Sequence, residues 1–190
     1  MKGIFNVENC VFGGLSLPEM DIEETLAVIN QMLADGVIEG YALGGAVAAI
    51  FYIEPIDTQD VDIFVQVKST ESDFTILLPI YDYLLKRGFQ AKAEHIYIKG
   101  FPVQFLPTFN ALTEEAVIQA QEFALNTIRA WIIRPEYLVA LMLDTGRLKD
   151  YLRISLFLQA NVVNREQLHE ILQRHGLSQK WTDHAYRFEL

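Results

Sequence analysis

Two aspartates, Asp60 and Asp62, open an apolar stretch that reads DVDIFVQV over residues 60–67. Its Val, Ile and Phe content predicts a strand. Because side chains at i and i+2 of a strand point to the same face, both carboxylates would aim at one spot. Two adjacent carboxylates repel each other, and a divalent cation such as Mg²⁺, which prefers oxygen ligands, removes that penalty. Taken alone, an Asp-x-Asp pair is more often a solvated strand start.

A glycine pair, Gly44 and Gly45, lies upstream of the aspartates, between a short strand predicted over VIEGYAL and a buried helix predicted over AVAAIFYI. A Gly-Gly turn brings backbone N–H groups close to a ligand, and the start of the following helix suits a phosphate. The pair by itself is more often simply a tight turn. The joint pattern is more specific: strand, Gly-Gly, apolar helix, a loop with Thr58, and then Asp-x-Asp at the start of a strand.

The stretch LGGAVAAIFYIEPIDTQDVDIFV, residues 43–65, resembles the signature of the polymerase-β-type nucleotidyltransferases. The resemblance covers residues 40–106, and RPEYLVALMLDTGRLKDYLRI resembles a helical segment of bacterial and archaeal minimal nucleotidyltransferases. That branch includes the toxins of abortive-infection and type IV toxin–antitoxin systems. The resemblance implies an α+β fold, in which helices flank a nucleotidyltransferase-like mixed β-sheet and a helical part follows at the C-terminus.

The resemblance also implies roles for individual residues. Asp60 and Asp62 would be catalytic ligands of two Mg²⁺ ions, which bridge the phosphates of an NTP substrate. The residues expected to bind the nucleotide lie in the glycine turn, the following loop and a later helix: Gly44, Gly45, Ala46, Thr58, Arg147, Lys149 and Asp150. Arg147 and Lys149 would offer positive charge, with Asp150 orienting one of them. A solvated helix start with intrahelical ion pairs explains these three residues equally well.

Two positions depart from the family pattern. The family usually has a third carboxylate just before Phe-Leu-Pro, where this chain has Gln104 in FPVQFLP. Gln104 stays a catalytic candidate because its carbonyl oxygen can coordinate a metal, although an amide is a poor general base. Glu94 on the preceding predicted strand is a substitute acid, but an exposed strand charge is the simpler interpretation. Met142 stands where the branch often has a helix lysine.

Two functions are consistent with these residues. The first is a metal-dependent nucleotidyltransferase that moves an NMP from an NTP to a hydroxyl of RNA, such as a tRNA end, of a protein or of a small molecule. An antitoxin-like protein partner is expected if the toxin branch is the right one. The alternative is a weakened or inactive relative that binds a nucleotide or a partner protein, which the residues at positions 104 and 142 favour.

Composition limits the other classes of function. The chain has 190 residues, 51% of them apolar, which is enough for a sizeable core. A net charge of −10 disfavours broad docking on nucleic acid or on an anionic membrane. The lone Cys10 fits a reducing compartment, and the four histidines lack zinc-like spacing. No signal peptide or membrane span is recognisable, so the expected location is the cytoplasm.

Periodicity predicts the order α-β-α-β-α-β-β-α-β followed by helices. We expect a nucleotidyltransferase-like α/β core over residues 1–110 and a mainly helical C-terminal part over 111–190, packed on the core. Within these, residues 89–108 would form two strands joined at Lys99-Gly100, and Pro79 would mark a kink or a late helix start. A helix over LTEEAVIQAQEF would have Thr113 as its N-cap.

Overall fold

The computed structural model of the protein describes residues 11–12, 15–16, 22–53, 60–68, 75–125 and 127–188. Two short strands, β1 (Val11–Phe12) and β2 (Leu15–Ser16), pair with each other. The other strands of the described residues form one sheet: β3 (Gly40–Leu43), β4 (Val61–Gln66), β5 (Gln90–Lys92), β6 (His95–Ile98), β7 (Phe101–Pro107), β8 (Gln121–Leu125) and β9 (Ile128–Ile132).

Helices lie between and after these strands. In the described residues they are α1 (Ile22–Ala34), α2 (Gly45–Ile50), α3 (Leu78–Lys86), α4 (Ala111–Ile118), α5 (Pro135–Thr145), α6 (Leu148–Gln159), α7 (Arg165–Arg174) and α8 (Ser178–Phe188). None of them has the length and apolar character that a bilayer-spanning helix requires.

The strand order across the large sheet is β5-β6-β7-β4-β3-β9-β8. The pairs β4–β7 and β3–β9 are parallel, and the other neighbours are antiparallel. A mixed sheet flanked by helices confirms the predicted α+β class. Strands β8 and β9 join this sheet from beyond residue 110, so both predicted parts of the chain contribute to it; the division at that residue stays a prediction.

Strand β4 shows how the core positions the candidate site. Its residues Val61, Ile63 and Val65 are fully buried, whereas the alternate residues Asp62 and Phe64 are only half-buried. The apolar set fixes which face of β4 turns into the core, and a slip of one residue would reverse every side chain. Asp62 is therefore held on the opposite face by the packing of its neighbours.

Three sequence expectations need correction or sharpening. Residues 90–107 form three strands, because Ala93 and Glu94 make an additional turn with Ala93 at φ 54°. Asn110, not Thr113, is the N-cap of α4: its side chain accepts from the Thr113 N–H at 2.8 Å, and Thr113 completes a capping box from the third helical position. Pro79 lies in the first turn of α3 and marks a late start.

The predicted helix over LTEEAVIQAQEF is also too long. Helix α4 ends at Ile118, and Gln121–Leu125 is the edge strand β8. The residues of β8 are exposed or half-buried, so they carry no continuous apolar run that would distinguish a strand from a helix end. The pairing of β8 with β9 across a short turn decides its conformation.

A polar cluster around Glu115 joins α4 to α5 and α7. The Glu115 carboxylate accepts hydrogen bonds from the Tyr137 hydroxyl at 2.8 Å and from the Arg174 guanidinium, and it contacts the His175 ring. The hydrogen bonds from Arg174 lower the pKa of Glu115 to about 2. The cluster stabilises the arrangement of these helices, and α5 in turn packs against α6, which contributes to the candidate site.

Substitution Glu115→Gln should lower the free energy of unfolding at pH 7 by about 2 kcal/mol. Because the folded pKa lies below the ordinary value, this stabilisation is present above about pH 4.5 and is lost as the pH falls towards about 2. Urea unfolding at pH 7 and pH 3 measures it, with Glu170→Gln on the exposed side of α7 as the control. An equal cost at both pH values would contradict the ionic contribution.

Candidate active site

The two aspartates lie at one end of β4, next to the glycine turn. Asp62 is the second residue of β4, and Asp60 directly precedes the strand. The Gly44 N–H donates to the Asp62 carbonyl oxygen at 2.9 Å, which continues the antiparallel pairing of β3 with β4 beyond Leu43. The end of β3 and the start of β4 are thereby held side by side.

Strand β7 brings Gln104 to the same place. In the parallel pairing of β4 with β7, Asp62 lies opposite Gln104. Directly opposed residues on neighbouring strands point to the same face of a sheet. The position where a third acid was expected is thus beside Asp62, and an amide occupies it.

The glycine turn lies so close to strand β4 that neither Gly44 nor Gly45 could carry a side chain. A Cβ atom at Gly45 would collide with the Asp62 carboxylate, and one at Gly44 would collide with the ring of Phe64. Gly45 also has φ +55°, a left-handed conformation that L side chains rarely adopt. Both glycines are therefore required by this approach of turn and strand.

Helix α6 presents positive charge towards the aspartates. Its N-cap Arg147 donates to the Asp150 carboxylate through Nε at 2.7 Å and through Nη2 at 3.1 Å, and Asp150 is buried. This intrahelical, bidentate ion pair fixes the direction of the guanidinium. The charges of Arg147, Lys149 and Arg153 all act favourably on the Asp62 carboxylate.

Burial is the main cause of an unusual pKa at Asp62, and the negative charge of Asp60 adds to it. Together they raise the pKa of Asp62 to about 6, although the three cations of α6 oppose the shift. The ionised form of this carboxylate is therefore destabilised in the free protein. A strongly perturbed carboxylate beside a second one is a common property of functional sites.

The chemistry of these donors fits a hard divalent cation. Two adjacent carboxylates supply oxygen ligands and negative charge, and a cation would relieve the repulsion that raises the pKa of Asp62. Within the described ranges, no three His, Cys, Asp or Glu side chains are grouped so that they could hold a metal ion by themselves. The set fits Mg²⁺, which is usually bound by one or two carboxylates together with water and substrate phosphates.

The remaining sequence candidates lie in different places. Ala46 is buried in α2, directly after the glycine pair. Met142 is half-buried on α5 and packs against the core. Glu94, expected on a strand, lies in the turn between β5 and β6 with 62% of its side chain exposed. Thr58 lies outside the described residues, as does Cys10.

Two residues near the aspartates escaped the sequence analysis. Arg153 follows Lys149 by four residues on α6, so the helical period could have indicated that both lie on one face. His95, the first residue of β6, has its Nε2 atom 3.5 Å from Oδ2 of Asp60. No local pattern around His95 indicates this neighbour, because the contact joins segments 35 residues apart.

Comparisons with known proteins bear on this fold. No family model matches the sequence, and no curated protein is significantly similar to it. The structure is similar to the crystal structure of an antigenic nucleotidyltransferase-like protein from Paracoccidioides brasiliensis, with a TM-score of 0.52 and 16% identity over 84% of this chain and 91% of that one.

The chain has a nucleotidyltransferase-like fold. A second similar structure is the solution structure of the antibiotic-resistance factor ANT(2'')-Ia, with a TM-score of 0.49 and 11% identity over 89% of this chain and 99% of that one. The fold assignment rests on the first of the two. The nucleotidyltransferase-like fold confirms the fold class that the residues around Gly44 and Asp62 implied.

The contact between Gly45 and Asp62 can be tested by adding one methyl group. Gly45→Ala should lower the free energy of unfolding by about 3 kcal/mol, because a left-handed residue and a steric collision are combined. Gly36→Ala is the matched control: Gly36 has φ +70° but open space around its Cβ position, so about 1 kcal/mol is expected. Chemical unfolding gives both values. Equal costs at the two positions would contradict the collision.

The raised pKa of Asp62 predicts a stability that depends on pH in metal-free buffer. At low pH the carboxyl is protonated in both the folded and the unfolded chain. As the pH rises from about 4 to about 6, the unfolded chain loses this proton first, so the free energy of unfolding falls. Asp62→Asn has no carboxyl to ionise, so its free energy of unfolding does not fall in this way. The variant should be more stable than the wild type by about 2 kcal/mol at pH 8, with little difference at pH 4. Thermal unfolding with EDTA checks this; a wild type as stable as the variant at pH 8 would contradict it.

Proposed function

We propose that the protein is a metal-dependent nucleotidyltransferase that transfers an NMP from an NTP to a hydroxyl acceptor. One observation carries the proposal: the glycine turn, the aspartates and the cations of α6 converge. Asp62 lies against Gly45, and the positive charges of Arg147, Lys149 and Arg153 stabilise its ionised form. Phosphate-binding and metal-binding groups at one place are what nucleotidyl transfer requires.

The reaction replaces the phosphoanhydride bond between the α- and β-phosphates of the NTP by a phosphate ester bond to the acceptor. The acceptor oxygen forms a bond to the α-phosphorus of the NTP, the bond from that phosphorus to the bridging oxygen breaks, and pyrophosphate leaves. Two Mg²⁺ ions, when bound at Asp60 and Asp62, would supply Lewis-acid stabilisation of the phosphate oxygens. The hydroxyl proton goes to solvent, since the amide of Gln104 is not a base.

The residues of the chain would divide the binding of the triphosphate between them. The backbone N–H groups at Gly45 and Ala46 would hold phosphate oxygens. The N–H of Gly44 already donates to the Asp62 carbonyl oxygen, so Gly44 would contribute by holding the turn against β4. Arg147 and Lys149 would neutralise the charge of the pyrophosphate leaving group. Asp150 would keep Arg147 in place through its bidentate contact. Arg153, which acts on the same carboxylate, would add to this positive field.

The acceptor is proposed by class only. A net charge of −10 disfavours capture of free RNA, so a protein side chain or a small molecule is favoured over a tRNA end. A protein partner of the antitoxin kind and a cytoplasmic location remain part of the proposal, and both follow from the resemblance and the composition.

A second candidate function is nucleotide binding without transfer. The specific observation that favours it is the position of Gln104 directly beside Asp62, where the expected third acid would act. Glu94 is not placed to replace that acid, because it lies exposed in a turn on the far side of His95. Met142, packed against the core, offers no charge in place of a lysine.

Label transfer separates the two candidates. The protein is incubated with Mg²⁺ and each α-labelled NTP, against total RNA and against a cell lysate. We expect transfer by the wild type and loss to background in Asp60→Ala and Asp62→Ala, because each removes a metal ligand. Glu39→Ala is the control, since this exposed acid lies at the opposite end of the paired strands β3 and β4.

The other outcomes are also informative. Tight NTP binding by equilibrium dialysis with no transfer to any acceptor would favour the second candidate. No binding of any NTP would exclude both. Transfer that persists in both aspartate variants would show that the activity arises elsewhere.

A further inference from the structure

We infer that His95 is a positioning residue of the candidate site, which holds the Asp60 carboxylate in a fixed direction beside Asp62. The inference deepens the proposed function and rests on it, since it concerns the metal-binding aspartates. The observation behind it is a row of side chains that crosses three neighbouring strands and ends at a histidine.

The register of the sheet establishes this row. Val61 of β4 pairs with Val103 of β7, and Val103 pairs with Ile96 of β6. One step further along, Asp62 pairs with Gln104. The pairing of β6 with β7 ends at Ile96 and Val103, and extending the same antiparallel register by one residue puts His95 beside Gln104. Side chains opposed in this way lie on the same face of the sheet. Asp62, Gln104 and His95 therefore follow one another across the face that carries the site.

Asp60 needs such support more than Asp62 does. Asp62 lies within the strand ladder, and its carboxylate is confined by Gly45. Asp60 precedes the first paired residue of β4, and 37% of its side chain is exposed. The negative charge of Asp62 repels the Asp60 carboxylate, so an N–H donor beside Asp60 would favour the arrangement in which the two carboxylates converge.

His95 is placed to oppose that movement. Its Nε2 atom lies 3.5 Å from Oδ2 of Asp60, within reach of a hydrogen bond that the ring N–H donates to the carboxylate. The ring is largely buried, with 21% of the side chain exposed, and its backbone is held by the pairing of β6 with β5. On its other side, Nδ1 is 4.0 Å from Glu94, which is too far for a hydrogen bond. The ring is thus a partly buried neighbour whose Nε2 atom faces Asp60.

A partner of this kind commonly tunes a metal site. Groups that hydrogen-bond to metal-binding carboxylates fix their orientation, and their removal typically costs 10–100-fold in metal affinity. The amide at Gln104 adds no charge to the row, so His95 is the next ionisable side chain along it. His95 would keep the carboxylates of Asp60 and Asp62 close together in a sheet that has Gln104 in place of the third acid.

Mn²⁺ is the probe for the test, because free Mn²⁺ is counted directly by electron paramagnetic resonance without any turnover. The wild type, His95→Phe, His95→Gln, Asp60→Ala and the double variant His95→Phe/Asp60→Ala are titrated in the presence of a non-hydrolysable ATP analogue. Phe keeps the ring volume but cannot donate, and Gln keeps an N–H donor. Tyr97→Phe, two residues along the same face of β6, is the matched control.

We expect His95→Phe to weaken Mn²⁺ binding roughly 10-fold, His95→Gln to recover most of this loss, and Tyr97→Phe to bind like the wild type. In the Asp60→Ala background, His95→Phe should cause no further loss, because a residue that acts through Asp60 has nothing left to position. Thermal unfolding of each variant confirms that it is folded.

Two results would overturn the inference. Wild-type affinity in His95→Phe would show that Asp60 needs no support from the ring. An equal loss with and without the Asp60 side chain would show that His95 acts independently, for example as a direct ligand. Failure of the proposed function has a different signature: Asp60→Ala and Asp62→Ala would then bind Mn²⁺ as the wild type does.

Discussion

The close approach of Gly45 to the Asp62 carboxylate is the constraint on which the rest of the candidate site depends. It requires a residue without a side chain in a left-handed turn, and it requires β3 and β4 to be in register up to their ends. The buried residues Val61 and Ile63 maintain that register, because a slip would turn them out of the core. The packing of the core therefore also determines the geometry of the candidate site.

The second constraint is electrostatic: the close packing of the turn destabilises the charged form of Asp62. Packing the turn against Asp62 removes water from a carboxylate that already has Asp60 beside it, and the pKa of Asp62 rises for both reasons. Helix α6 offsets part of this cost with three cations, one of which is held by a buried acid of its own. Under the proposed function, a ligand that brings both a cation and phosphate groups, such as a metal–nucleotide complex, would relieve this cost.

The sequence was enough to predict the parts of the candidate site that depend on local patterns. Strand β4 and the convergence of Asp60 and Asp62 follow from a local period, and the glycine pair follows from its turn chemistry. The turn between β5 and β6 was missed because Ala93 and Glu94 carry no glycine or proline signal. The position of Gln104 beside Asp62 depends on the register of β4 with β7, which pairs residues some forty positions apart and is decided by packing. The position of His95 depends in addition on the register of β6 with β7.

The glycine at position 45 also bears on how such a site can change over time. As long as residue 62 is an aspartate, any side chain at 45 is excluded by collision as well as by backbone conformation. If a descendant lost the carboxylate, one of these two barriers would disappear with it. Among descendants of this chain, substitutions at the two positions should therefore arise together, with loss of the acid first, and residue 45 would record whether the acid had been retained.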